Sequence, residues 1–76
     1  MSFEEWLIME KTYSIKAARD VESRMKRVKS LIEKSEIDLD AIKELETKGA
    51  FNVLSVSVKS QLRRAVRLYC EYCDYE

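Results

Sequence analysis

The chain has 76 residues, 46% of them apolar and 37% charged, with one glycine and no proline, so it has room for one small helical domain and nearly excludes a β-sandwich or barrel, whose turns need those two residues. No apolar run approaches the ~20 residues of a membrane span and no signal peptide opens the chain, so the expected location is the cytoplasm. Acids and bases balance at 14 each.

That balance hides a segregation. Lys16 to Lys34 holds seven basic and three acidic residues, Lys59 to Arg67 four basic and none acidic, and Glu36 to Glu46 five acids against Lys43 alone. A neutral chain with two basic segments can still present a basic face. A charged face is also what any amphipathic helix shows to water.

Four helices are expected, packed as a compact all-α bundle. The first spans about 3–11. Ser2 and Glu5 fit a capping box, and Phe3, Trp6 and Leu7 share one face. Thr12, Tyr13 and Ser14 form the connection, and Ser14 caps a second helix over about 15–34. At 100° per residue Ala17, Ala18, Val21, Met25, Val28 and Ile32 fall on one stripe. Lys16, Arg19, Ser23, Lys26, Arg27, Ser30 and Lys34 fall on the opposite one. Arg24 sits at the stripe's edge, placed for a structural ion pair or, with Ser23, for a phosphate contact.

A third, acidic helix is expected over about 39–48. Asp38 caps it, Ile37 staples onto Ile42, Leu39, Ile42 and Leu45 face the core, and Gly49 stops it in the left-handed region. It either faces water or pairs with the basic helices. The alternation of Leu54, Val56 and Val58 with Ser55 and Ser57 imitates a strand, but no second strand exists to pair with it. A turn at Phe51 to Leu54, then a helix over about 56–73 capped by Ser55 or Ser57, is the consistent reading. Val58, Leu62, Ala65, Val66, Tyr69, Tyr72 and Cys73 form its apolar face. Ser60, Arg63, Arg64 and Arg67 form the other, with Lys59 at the border.

Catalysis has little support. The chain lacks histidine and a glycine-rich phosphate loop, its serines have no evident base partner, and its carboxylates lack calcium-loop spacing. No cofactor is expected. Cys70 and Cys73 have C-x-x-C spacing, compatible with a redox pair, half a zinc site or helix packing. Acidic neighbours at a helix C-terminus disfavour thiolates, and a structural zinc needs four ligands, so packing is preferred, with Cys73 toward the core and Cys70 at its boundary. The functional signal lies in two candidate rows for DNA phosphates: Lys16, Arg19, Lys26 and Arg27, with Lys34 continuing that row, and Lys59, Arg63, Arg64 and Arg67. They make one DNA-sized patch only if the two helices expose them side by side.

The run SFEEWLIMEKTYSIKAARDVESRMKRVKSLI resembles the opening of the SAM-like, core-binding domain of phage integrases, the tyrosine recombinases, and LSVSVKSQLRRAVRLYCEY resembles that domain's last helix. The resemblance rests on core positions, here Phe3, Trp6, Leu7, Val21, Val28, Leu62, Ala65 and Tyr69, which report packing more than function. It implies an orthogonal four-helix module that clamps DNA, with Lys16, Lys26, Arg27, Lys59, Arg63 and Arg67 as contacts. None of the arginines, histidine and nucleophilic tyrosine of the recombinases' catalytic domain is matched in these 76 residues, so Tyr69, Tyr72 and Tyr75 are not expected to be the nucleophile, and the chain is either a domain of a larger protein or a small free-standing relative. The alternative reading is a protein-docking or homodimerising module, since a small core gains from burying further apolar surface.

Overall fold

A computed structural model describes residues 1–34 and 36–75. They form five helices and no strand: α1 (Phe3–Met9), α2 (Ile15–Ile32), α3 (Asp40–Glu46), α4 (Gly49–Asn52) and α5 (Val56–Tyr75). No helix among these residues is long and apolar enough to cross a membrane.

Local chemistry accounts for most helix starts. The Ser2 hydroxyl accepts from the Glu5 amide at 3.1 Å, and the Glu5 carboxylate accepts from the Ser2 amide at 3.3 Å. The bond from the Ser2 amide first, and then the Ser2 hydroxyl beside the carboxylate, hold the Glu5 carboxyl below its usual range. Ser14 accepts from Ala17 N–H, and Ser55, rather than Ser57, accepts from Val58 N–H. Asp38 Oδ1 accepts from Asp40 N–H at 3.0 Å, so it orders the turn entering α3 rather than capping the helix proper, whose N-cap position falls on Leu39.

The helix stops differ from expectation. Gly49 does not end α3 in the left-handed region. It is the first residue of α4, and no glycine has a positive φ. The left-handed residues are Thr12 (φ 56°) and Glu33 (φ 57°), which turn the chain out of α1 and end α2. Past Thr12, the Tyr13 amide returns to the Leu7 carbonyl at 3.1 Å. Of the segment assigned to a turn, Phe51 and Asn52 belong to the extra helix α4, one helical turn long, and Val53 and Leu54 turn the chain into α5.

The core is one cluster fed by every helix: Phe3, Trp6 and Leu7 of α1, the stripe Ala18, Val21, Met25, Val28 and Ile32 of α2, Ala41 and Leu45 of α3, Phe51 of α4, and Leu62, Ala65, Val66 and Leu68 of α5. Phe51 is fully buried, so α4 exists to deliver one aromatic side chain. At ~25 cal/mol per Å² of apolar surface, burying such a ring is among the larger single contributions available to a small core. Leu39, expected inside, is 61% exposed, whereas Ile37 and Ile42 lie half-buried against the core.

α2 and α5 share the most extensive packing, α2 also contacts α1 and α3, and α5 also contacts α1 and α3. The chain ends meet through aromatic rings. Phe3 is edge-on to Tyr69 at 5.1 Å, and Trp6 lies 5.8 Å from Tyr72. The Tyr72 hydroxyl donates to the Met1 carbonyl at 2.6 Å.

Candidate nucleic-acid interface

The outer face of α2 follows from its period. With Ala18, Val21, Met25, Val28 and Ile32 buried, the opposite sector carries Lys16, Arg19, Ser23, Lys26, Arg27 and Ser30, all exposed, with the exposed Asp20 at its edge. Lys34, just past the helix, extends this row. The fourteen rises from Lys16 to Ser30, at ~1.5 Å each, make a strip of about 21 Å.

Three of these cations have carboxylate partners. Arg19 Nε lies 3.4 Å from Glu4 Oε1, Lys26 Nζ lies 3.7 Å from Glu22 Oε1, and Lys34 pairs with Glu44. The Lys34–Glu44 hydrogen bond raises the lysine's pKa. The Arg19 and Lys26 side chains remain 73% and 77% exposed. Exposed pairs of this kind contribute ~0–1 kcal/mol and exchange readily for another anion. Lys16 and Arg27 make no hydrogen bond or ion pair among the described residues.

The α5 row is built differently. Arg63 is half-buried: its guanidinium carbon sits 5.4 Å from the Phe51 ring centroid and its Nε 3.3 Å from Glu46 Oε1. Arg64 donates from Nη2 to the Tyr13 hydroxyl at 3.3 Å, a bond that raises the arginine's pKa. Arg67 is exposed and Lys59 half-exposed, and neither has a hydrogen-bond or ion-pair partner among the described residues. Arg63 and Arg64 therefore hold helices together, while Lys59 and Arg67 stay available. From Thr47 to Cys70 the sequence contains five cations and no acid, a longer acid-free stretch than the four-residue row suggests.

The α2 row lies opposite the buried face of its helix and points away from the α2–α5 contact, whereas on α5 Arg63 turns to Phe51 and Glu46. Of the row residues, only Arg64 lines the groove on one side of that contact, with Tyr13, Asp20, Arg24 and Gln61, and only Lys26 lines the cavity on the other. Arg24 makes no ion pair among the described residues, contrary to expectation; its half-buried side chain packs along this groove instead.

The acidic helix α3 is largely consumed by internal pairing. Glu44 meets the end of α2, and Glu46 meets α5. Of the expected alternatives, pairing with the basic helices is the one realised for these two side chains.

The cavity beside Lys26 went unnoticed in the sequence. It measures about 310 Å³ and is lined by Phe3, Met25, Tyr69 and Tyr72, with Lys26 and Lys29 at its rim together with Ser2 and Glu22. Lys29 Nζ lies 4.6 Å from the Tyr69 ring centroid and 3.4 Å from its hydroxyl. The available signal was Lys29, a cation on the flank of the α2 stripe, together with the α5 tyrosines assigned to the core.

The cysteines lie elsewhere. Cys73 is exposed and Cys70 half-buried, the reverse of the expected order, because Leu68 and Ala65 rather than Cys73 turn α5 toward the core. Both line a groove with Ile37, Asp38, Leu39, Asp40 and Asp74. Burial first, then Cys73, Asp38 and Asp74, pushes the Cys70 thiol up, which opposes a thiolate there. No group of three or more metal-ligating side chains converges among the described residues.

Comparison with protein-family models, with curated proteins and with solved structures finds no match to this chain.

Proposed function

We propose that this protein is a non-catalytic module that binds DNA through its phosphate backbone, using the outer face of α2 as the main contact and Lys59 and Arg67 of α5 as flanking ones. The observation that carries the reading is that α2 face: exposed, about 21 Å long from Lys16 to Ser30 and rich in lysine, arginine and serine, with Asp20 the acid at its edge. Cations on such a strip neutralise successive phosphates and release counterions, and the interleaved Ser23 and Ser30 hydroxyls can donate to phosphate oxygens. The all-helical architecture and the resemblance of α1, α2 and α5 to the core-binding domain of tyrosine recombinases support the same reading, with a SAM-like arrangement of the helices and a cytoplasmic location as parts of it. The structure's fifth helix and its internally held Arg63 and Arg64 alter the expected contact set, moving weight from α5 to α2.

A second reading has one specific observation behind it. Val53 and Val56, at the corner between α4 and α5, are 83% and 77% exposed, more than any other large apolar residue described. A protein partner or a second copy of this chain would cover them.

The test is titration of short DNA, duplex and single-stranded, at low and then raised salt. Affinity falls steeply as salt rises, and the double variant Lys16→Glu/Arg27→Glu loses at least roughly tenfold in affinity and flattens the salt slope by about two while its helical spectrum is unchanged. Absence of binding to either form at low salt refutes the proposal. Self-association that Val53→Ser/Val56→Ser removes would then favour the second reading.

A further inference from the structure

We infer that the polynucleotide this module prefers is single-stranded, with one unstacked base seated in the aromatic cavity between α1, α2 and α5. The inference rests on the backbone-binding reading above and adds to it the form of the ligand and the place of one base.

Three properties of the cavity lead there. First, its position: Lys26 belongs both to the cavity rim and to the exposed cationic face of α2, so a strand lying along that face passes over the cavity mouth. Second, its lining: Phe3 and Met25 form a buried floor, and the half-buried rings of Tyr69 and Tyr72 stand beside it. An aromatic-lined recess with cations only at its edge suits a flat aromatic group attached to an anion. Lys29, 4.6 Å from the Tyr69 ring centroid, covers that ring's face, so an entering base moves this cation off the ring toward a flanking phosphate. Third, its size: about 310 Å³ lies at the lower end of small-molecule pockets, enough for a base and too little for a helix or a duplex edge. In a duplex the faces of the bases are stacked against one another and unavailable, so only a single strand can offer one.

The charges at the rim fit the flanking phosphates. Its one carboxylate, Glu22, is paired with Lys26, and Lys29 has no carboxylate partner among the described residues. The hydroxyls are committed elsewhere: Ser2 accepts from Glu5 N–H, Tyr72 donates to the Met1 carbonyl, and Tyr69 accepts from Lys29. The ring faces of the lining dominate over the Ser2 and Tyr69 hydroxyl protons left to donate, so the recess discriminates little among bases, as a stacking platform does.

The test compares oligomers of about ten nucleotides at one salt concentration: oligo-dT, oligo-rU, an abasic strand of the same length, and the matching duplex. The abasic strand keeps the phosphates and deletes the bases without touching the protein. It is expected to bind roughly tenfold more weakly than oligo-dT, with the duplex also weaker. Oligo-rU matching oligo-dT identifies single strands of either sugar as the ligand, and a preference between them assigns the source. Equal affinity for dT and abasic strands overturns the inference and leaves backbone binding standing. Failure of every oligomer to bind overturns both.

Location is read separately. Addition of oligo-dT shifts the Met25 methyl resonance by the ring current of the entering base, and addition of the abasic strand does not. Tyr69→Leu, which keeps apolar bulk, erases the difference between dT and abasic strands without abolishing binding to either. If that variant does not fold, the Met25 signal in the unaltered protein still decides, and an unshifted methyl at saturating oligo-dT refutes the cavity as the seat.

Discussion

The two basic helices of this small domain look alike in sequence and are employed differently. On α2 the cations stand on a face that contributes nothing to the core, and the partners of Arg19 and Lys26 are half-buried carboxylates reached from the exposed ends of those side chains. On α5 two residues of the same kind are engaged by neighbours: Arg63 lies half-buried against Phe51 and Glu46, and the exposed Arg64 reaches Tyr13. The difference lies in what surrounds each helix. Opposite the buried stripe of α2 there is only solvent, whereas α5 begins beside α4 and the end of α3, which bring an aromatic ring and a carboxylate within reach of its first turns. A basic row is therefore a ligand surface only where no neighbouring element has claimed it.

The largest break in that comparison is expected at Phe51. Phe51→Ala removes a fully buried ring and should cost about 3–5 kcal/mol, against a total stability of roughly 4–11 kcal/mol for a chain of this length. It should also loosen the seat of Arg63. Denaturant unfolding measures the first effect. A midpoint unchanged from the parent would mean that α4 is not the anchor of α5.

A smaller effect sharpens the contrast within α5 itself. Arg63→Ala gives up an aromatic contact and a partly shielded ion pair and should lower stability by about 1 kcal/mol, while Arg67→Ala, on an exposed side chain without a partner among the described residues, should change it by less than ~0.5 kcal/mol. DNA affinity should show the opposite order, falling more for Arg67 than for Arg63. Equal losses in both measurements would erase the distinction between structural and available arginines.

What the sequence made legible follows from the range of each interaction. The serine caps at Ser2, Ser14 and Ser55 and the stripe of α2 are written within a turn or two of chain, and they stand in the structure as the pattern dictates. α4 was hidden because four residues carry no full period. Phe51, read as a turn residue, takes its burial from packing that crosses the chain. The fates of Arg63 and Arg64 depend on Glu46, Phe51 and Tyr13, and no spacing rule predicts that Tyr13 meets a side chain 51 positions away. The aromatic cavity was illegible for the same reason: Phe3, Met25 and Tyr69 come from three helices. Gly49 misled because glycine is permitted, not required, to adopt a left-handed conformation, and here Glu33 and Thr12 do so instead.

The smallest effect concerns the carboxylates that compete for the α2 face. Glu4, on α1, holds Arg19 at 3.4 Å, and a phosphate must displace it to use that arginine. Glu4→Gln leaves the side chain's size nearly unchanged and removes the competing charge, so DNA affinity should rise by about two- to threefold, within the span of an exposed ion pair. The gain should shrink as salt rises, because salt screens the Glu4 carboxylate and the phosphates alike. The same substitution should barely alter thermal stability. A fall in affinity would place Glu4 among the residues that orient Arg19 toward its ligand, and the pair would then belong to the interface rather than oppose it.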